Sequence, residues 1–297
     1  MSATADSSLA TRPARRFRLW LYLLIVCGLS WPFQIIYTII PFRSFGDAAY
    51  WVGIPWTSAT MLMAAVGTFI AGRWVFRDGF RNAGWRWGNA SSWALALGLP
   101  LLIIAAPAGL DLLTGARTLV SFNWNIVSLT LFVVVFGPIL GFGEEFAWRG
   151  YLLPRQWCAS AGPRRAVLVN GVIWWAWHLP VNFLPNIIDA PTKAAQLNLS
   201  TDAFLLTQVP VTLASTLVLN VILGFIFSYV WVRSGSIVVV SVLHGAFDAV
   251  RNITFYWLSP VGANSLFWLY IVFEVAIGLW LLWRGRWVLR TEANACD

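Results

Sequence analysis

Six ionisable residues in this chain have the types and spacing that hydrolytic chemistry requires, and each stands in an otherwise apolar stretch. A carboxylate beside a neutral imidazole can hold and deprotonate water, and a second imidazole backed by a carboxylate can stabilise an oxyanion or bind a metal. The combination permits hydrolysis of an amide bond in an apolar environment. The residues are Glu144, Glu145, Arg149, His178, His244 and Asp248.

The spacing of these residues predicts different tasks for the two glutamates. Glu145 and Arg149 are four residues apart, which places them on one face of a helix. His244 and Asp248 share the same spacing. Glu144 projects about 100° away from Glu145 on the helix. We therefore expect Glu145 to stay ionised as a brace held by Arg149, and Glu144 to act as the base.

Small residues precede the two glutamates in the sequence. Glycine and proline at these positions are expected to kink the helix and to admit a substrate backbone or water. The residues are Gly137, Pro138, Gly141 and Gly143.

The composition requires lipid as the solvent for this chain. Of the 297 residues, 59% are hydrophobic and 11% are charged, whereas an average soluble protein is about 25% charged. The aromatic content of 16%, with 20 Trp, is typical of a protein with amphipathic rings at membrane interfaces. The net charge of +8 comes from basic residues placed beside apolar runs, so nucleic acid is not an expected partner.

Apolar runs of about 20 residues can cross the hydrocarbon core of a bilayer as helices. The sequence predicts an all-α membrane protein, a polytopic bundle of about eight transmembrane helices in a single domain, 19–284, between two short tails, 1–18 and 285–297. The apolar start at Leu19 is interpreted as a retained first span. The predicted spans are 19–40, 52–72, 92–110, 124–154, 165–187, 208–232, 235–257 and 264–283.

The basic residues predict the orientation of the bundle. With eight spans and both termini in the cytoplasm, sixteen of the 20 Lys and Arg fall on the cytoplasmic side. Counted from cytoplasmic arginines, Glu144, His178 and His244 lie 11 to 13 residues into their spans. That separation corresponds to roughly 16 to 20 Å of helix. A carboxylate and two imidazoles are therefore predicted to share one layer.

Three motifs on successive spans carry a resemblance to a known family. They are Glu-Glu-x-x-x-Arg at 144–149, Trp-x-x-x-His at 174–178 and His-x-x-x-Asp at 244–248. In that order they resemble the CPBP intramembrane proteases, a family named after CAAX prenyl proteases and bacteriocin-processing proteins. The resemblance covers a protease-like core at about 120–255.

The resemblance implies a role for each matching residue. Glu144 and His178 would activate the water, and His244 with residue 248 would stabilise the oxyanion or complete a metal site. Glu145, Arg149 and the aromatic residue Trp174 would support them.

Two positions depart from the usual family pattern. Trp174 stands where Phe is more usual, and Asp248 stands where many members have Asn. An ionised Asp cannot donate a hydrogen bond to an oxyanion as Asn can. Asp248 would have to be protonated, orient His244 or ligate a metal.

The sequence leaves the metal question open. The family is often labelled as metalloproteases, and a divalent metal such as zinc is one expectation. Its candidate ligands are Glu144, His178, His244 and Asp248, but no H-E-x-x-H zinc motif occurs.

Other polar residues in the spans are interpreted as structural. Interhelical hydrogen bonding is the usual role of amides such as Asn170, Asn182 and Asn220. Glu274 lies at a similar depth on the last span and matches no motif, so we assign it to packing or to a cavity.

The leading hypothesis is an intramembrane endopeptidase that cleaves a membrane-bound or lipidated peptide or protein, in the cell membrane. One alternative is a non-catalytic family member that acts as a bacteriocin-immunity or partner-binding protein. A proton-coupled transporter is another, because buried Glu, His and Arg also form proton relays. Against it, no inverted repeat is evident in the sequence.

Overall fold

The computed structural model describes residues 17–39, 50–160, 162–261 and 265–288. The predicted tails lie mainly outside the described residues. Arg43, which the charge count places on the side opposite to the cytoplasm, also lies outside them. The orientation of the termini stays a prediction. The chain is an all-α polytopic membrane protein, as predicted. Seven helices within the described residues are long and apolar enough to cross a membrane: Leu19–Ile39, Trp51–Val75, Ala90–Leu113, Trp124–Ala159, Pro163–Ile188, Thr201–Ser234 and Ile237–Trp257.

The regular elements subdivide these long helices. Widened π-helical turns occupy Ala71–Val75, Leu101–Ala105 and Phe146–Leu152. Two short strands, β1 (Arg117–Leu119) and β2 (Leu258–Pro260), pair antiparallel. The helices are α1 (Leu19–Ile39), α2 (Tyr50–Ile70), α3 (Ala90–Pro100), α4 (Ala106–Leu113), α5 (Trp124–Glu145), α6 (Leu153–Ala159), α7 (Pro163–Trp177), α8 (Leu179–Ile188), α9 (Ala190–Gln196), α10 (Thr201–Ser234), α11 (Ile237–Trp257) and α12 (Leu269–Arg284).

The predicted eighth span, 264–283, is the 16-residue helix α12, which is shorter than expected. Two of the first residues of the predicted span, Ser265 and Leu266, bind a side chain of α4 and are not helical. The Ser265 hydroxyl and the Leu266 amide both donate to the Asp111 carboxylate, at 2.5 Å each. Because these residues cap Asp111 at the end of α4, the helix begins only at Leu269.

Side-chain caps fix the start of the long helices. The side chains of Asn123, Ser200 and Ser236 accept hydrogen bonds from backbone amides in the first turns of α5, α10 and α11. Such a cap satisfies one of the amides that a helix start leaves without a partner. Between α10 and α11, Gly235 adopts φ 62°, a left-handed conformation that a residue with a side chain rarely takes.

The predicted span 165–187 is broken at His178. Its backbone (φ −81°, ψ 1°) separates α7 from α8, and Pro180 lies in the first turn of α8. Because proline has no amide hydrogen and restricts the residue before it, a new helix starts here more readily than the old one continues. The Trp177 carbonyl instead accepts hydrogen bonds from Trp31 and Gln34 of α1, at 2.9 and 3.0 Å.

Glycines bring α5 and α11 into backbone contact. A side chain at Gly245 would collide with the backbone of Gly137 and Pro138, and one at Gly141 would meet the Ser241 carbonyl. The expectation that these glycines admit substrate or water is therefore wrong for Gly137 and Gly141. They are filled by α11, which the small-residue pattern also allows.

Contacts place the basic residues of several helix ends together. Arg155 donates to Asp78 at 2.6 and 2.8 Å, which joins α6 to the segment after α2. Arg164 at the start of α7 donates to the Leu282 and Trp283 carbonyls of α12. This end of the bundle is the one predicted to face the cytoplasm.

We predict that Gly245→Val destabilises the protein by about 1 to 3 kcal/mol, because the new side chain would separate α5 from α11. Thermal unfolding in detergent would report a lower Tm. Gly98→Ala is the control, since a side chain there meets open space. An unchanged Tm for Gly245→Val would show that the two helices do not depend on this contact.

Candidate active site

The residues predicted to share one layer do meet. The ends of α5 and α7 and the middle of α11 surround a cavity of about 390 Å³. The site residues that line it are Glu144, Trp174, His178, His244 and Asp248. Glu145 and Arg149, the predicted supporting pair, lie behind this wall and are fully buried.

Glu144 is a buried carboxylate that faces an imidazole. Its Oε2 lies 3.9 Å from His178 Nε2 and accepts a 2.7 Å hydrogen bond from the indole of Trp174. The side chain keeps only about 4% exposure. This hydrogen bond fixes the carboxylate and leaves further lone pairs toward the cavity.

The backbone sets which nitrogen of His178 faces Glu144. His178 Nδ1 lies 2.8 Å from the Trp174 carbonyl. A carbonyl oxygen only accepts, so Nδ1 carries the hydrogen. In the neutral ring Nε2 then has a free lone pair, and that lone pair points toward Glu144. His178 can therefore accept a proton or a hydrogen bond there.

Glu145 links two helices through one oxygen. Its Oε1 accepts from Arg149 Nη1 at 3.0 Å and lies 2.7 Å from His244 Nδ1. The predicted contact between Glu145 and Arg149 is present, and the contact with His244 adds a carboxylate behind the second imidazole. By the same reasoning as for His178, His244 presents Nε2 to the cavity.

Aromatic rings surround the guanidinium of Arg149. Its Cζ lies 4.4 Å from the ring centre of Trp174 and 5.3 Å from that of Phe227. Arg149 Nε and Nη2 have no hydrogen-bond partner among the described residues. The negative faces of these rings supply part of the stabilisation that hydrogen bonds do not. The sixteen basic residues predicted to lie on the cytoplasmic side include Arg149. The structure instead places Arg149 inside the bundle.

Asp248 interacts with two neighbours on its own helix. Its Oδ2 lies 3.6 Å from His244 Nε2, and its Oδ1 accepts a 2.7 Å hydrogen bond from Arg251. Arg251 therefore pairs with the carboxylate that faces the imidazole of His244. This arrangement favours the expectation that Asp248 orients His244.

The metal site that the resemblance implies stays a prediction. No group of three or more His, Cys, Asp and Glu side chains among the described residues is arranged to hold a metal ion. The four candidate ligands line one cavity, but each already contacts another protein group. We derive no step through a metal.

Three residues of α1 were missed by the sequence reasoning. Ser30 accepts a 2.6 Å hydrogen bond from the Trp177 indole, next to the bonds that Trp31 and Gln34 donate to the Trp177 carbonyl. Together they hold the chain at the break beside His178. The signal available in the sequence was the presence of hydrogen-bonding side chains within the apolar first span.

The indole hydrogen bond from Trp174 to Glu144 was also not predicted, since the motif suggested only an aromatic ring. Glu274, assigned to packing or a cavity, lines the same cavity from α12. Asn170 makes the predicted interhelical hydrogen bonds, to the Trp148 carbonyl and the Gln156 side chain.

We predict that Arg149→Met destabilises the protein by about 3 to 5 kcal/mol, because it removes the guanidinium that is paired with the buried Glu145 carboxylate. Adding Glu145→Gln should restore much of the loss, since a neutral amide still accepts from His244. Thermal unfolding in detergent measures both effects.

Arg165→Met is the matched control, because Arg165 is an exposed arginine of α7 and a substitution at such a surface position changes stability by only about 0.5 kcal/mol or less. Equal losses for Arg149→Met and Arg165→Met would contradict the prediction.

Comparison with known proteins agrees with the motif resemblance. Residues 123–250 match the family model described as type II CAAX prenyl endopeptidase Rce1-like, which covers less than half of the 297 residues. No curated protein matches the chain. The matched segment contains all seven candidate site residues and the helices that carry them. The match over residues 123–250 therefore supports a relationship of this part of the membrane protein to the CPBP/CAAX protease family.

Proposed function

We propose that the protein is an intramembrane endopeptidase that hydrolyses a peptide bond of a membrane-bound or lipidated substrate. The observation that carries the proposal is the separation of 3.9 Å between Glu144 Oε2 and His178 Nε2 at a buried cavity. Both atoms have lone pairs directed to the same space. The family match supports a protease at the level of the family.

One water molecule can satisfy both atoms at once. An oxygen about 2.8 Å from each would span their separation and donate one hydrogen to Glu144 and the other to His178. Such a water is oriented and made more nucleophilic by its two acceptors. We assign Glu144 as the base and His178 as the residue that positions the water, and this geometry supports both roles.

The reaction then proceeds in two balanced steps. Glu144 takes a proton from the water while the water oxygen forms a bond to the carbonyl carbon of the substrate. The carbonyl π electrons move to its oxygen, giving a tetrahedral intermediate. When the carbon–nitrogen bond breaks, Glu144 returns the proton to the leaving amine, and the carboxyl product forms.

We infer that His244 stabilises the oxyanion. Its Nδ1 contacts Glu145 and its Nε2 lies near Asp248, so an imidazolium here would be paired with a carboxylate at each nitrogen. In that form Nε2 carries a hydrogen that can be donated to the developing oxyanion. Asp248, fixed by Arg251, would hold the ring in place.

The environment of the site limits the class of substrate. Glu144 and His244 are buried within a helical bundle in lipid. A soluble protein would have to bring its polar backbone to that depth, whereas a membrane-bound or lipidated chain is already concentrated there. We place the protein in the cell membrane with its arginine-rich end in the cytoplasm, as the charge distribution predicts.

We predict that Glu144→Gln and His178→Ala each lower the cleavage rate of a membrane-anchored peptide by at least about 100-fold, as expected for loss of a general base or of the water position. The assay uses purified protein in liposomes and mass spectrometry of the products. Asp202→Asn, an exposed acid on α10, is the control and should retain full activity.

Undiminished cleavage by both variants would refute the catalytic assignment. A partner-binding protein would show no cleavage at all and would keep its cellular phenotype in both variants. A transporter would show flux that depends on Glu144. Because no step here uses a metal, cleavage should also persist in chelator, and its loss with recovery on adding zinc would replace this mechanism by a metal-dependent one.

We also predict that Trp174→Phe lowers kcat by about 10- to 100-fold with little change in KM, because a hydrogen bond to a charged group contributes about 1.5 to 3 kcal/mol. The ring would still pack on Arg149, so the Tm should change little. A fall in Tm with an unchanged kcat would show that the indole is only structural.

A further inference from the structure

Glu274 is a buried acidic side chain that the proposed mechanism does not use. It lies on α12, outside the residues 123–250 that match the family, and it lines the same cavity as Glu144 and His178. The residue is 7% exposed. Its carboxylate makes no hydrogen bond or salt bridge to any residue that the structure describes, and only the charge of Arg251 acts on it. A buried carboxylate without a partner is costly, so such a group is well suited to meet a donor from a ligand.

Aromatic rings form the wall beside Glu274. Phe267 lies 5.9 Å from Phe255 and 4.9 Å from Tyr270, measured between ring centres, and all three line the cavity. Tyr270 is one helical turn before Glu274, which puts both on one face of α12. The Arg117 guanidinium lies 4.5 Å from the Phe267 ring centre but does not line the cavity, so the faces that remain for a ligand cation belong to Phe255 and Tyr270.

With both histidines counted as neutral, the carboxylates that line the cavity outnumber its arginines. The carboxylates belong to Glu144, Asp248 and Glu274, and the arginine among the described lining residues is Arg251. Arg251 donates to Asp248 at 2.7 Å and reaches Glu274 only through its charge, without a hydrogen bond. A second cation would compensate Glu274.

We propose that Glu274 and the rings of Phe255 and Tyr270 form a subsite for a basic side chain, Lys or Arg, of the substrate. The inference rests on the proposed protease function and adds its specificity. The apolar stem of Lys or Arg packs against the rings, and its charged end donates to the Glu274 carboxylate. A substrate residue of the same length without charge leaves that carboxylate unpaired, and an acidic one adds repulsion.

The experiment compares peptide substrates that differ at one residue. Each is anchored in liposomes and carries Lys, Arg, norleucine or Glu at one of the three positions on either side of the cleaved bond. We expect the protein to prefer Lys or Arg over norleucine by at least about 10-fold in kcat/KM at one position, which corresponds to about 1.4 kcal/mol. Glu274→Gln should reduce that ratio to near one, and Glu274→Lys should shift the preference to Glu.

Asp202→Asn removes one acidic charge from an exposed site and serves as the matched control. It should keep the preference of the original protein. Equal profiles for the original protein and Glu274→Gln, or no preference for a basic residue at any position, would overturn the proposal. Tm values of the variants in detergent show whether each one folds.

Binding separates this inference from the proposed function. The Glu144→Gln variant, with or without Glu274→Gln, is titrated with the same anchored peptides, and affinity is read by fluorescence. Tighter binding of the Lys or Arg peptide that depends on Glu274 would support the subsite even if no peptide is cleaved, in which case only the protease proposal fails. Cleavage without that dependence would refute the subsite alone.

Discussion

Glu145 accepts hydrogen bonds from Arg149 and His244 through the same oxygen, and all three side chains are buried. A charged group at this depth is tolerated only where a partner of opposite charge or a donor meets it. The contact therefore fixes how α5 must stand against α11. The hydrogen bond from His244 to Glu145 also determines the orientation of the imidazole ring. The guanidinium of Arg149 lies against the Trp174 ring, and the indole of Trp174 donates to Glu144, so the contact is connected to the proposed catalytic carboxylate.

Two backbone features make that contact possible. Glycines at the crossing let α5 and α11 approach until Glu145 reaches His244, and Arg149 lies on the π-helical turn Phe146–Leu152, one turn beyond its glutamate. A π-helical turn of this kind often marks a functional site. Between α7 and α8 the helix is interrupted at His178, and side chains of α1 stabilise this interruption by hydrogen bonds.

The sequence predicted the features that depend on local pattern. Apolar length located seven spans, and the depth of the ionisable residues predicted that Glu144, His178 and His244 would meet. Features that depend on contacts between distant helices were not predicted. The indole of Trp174 has a donor whose acceptor is 30 residues away, and Trp31 and Gln34 reach a carbonyl more than 140 residues along the chain. Likewise, α12 is short because Asp111 takes Ser265 and Leu266 as partners, which hydropathy does not register.

The presence of aspartate at position 248 is explained by the charged residue beside it. Where the resemblance leads one to expect Asn, this chain has an acid, and three residues later it has Arg251, whose guanidinium donates to that acid. The Asp248–Arg251 pair adds no net charge to the cavity, and in this respect it is equivalent to a neutral amide. Its second oxygen faces His244. An amide at this position could donate to an oxyanion directly, whereas the carboxylate acts through the imidazole, which places the oxyanion contact on His244.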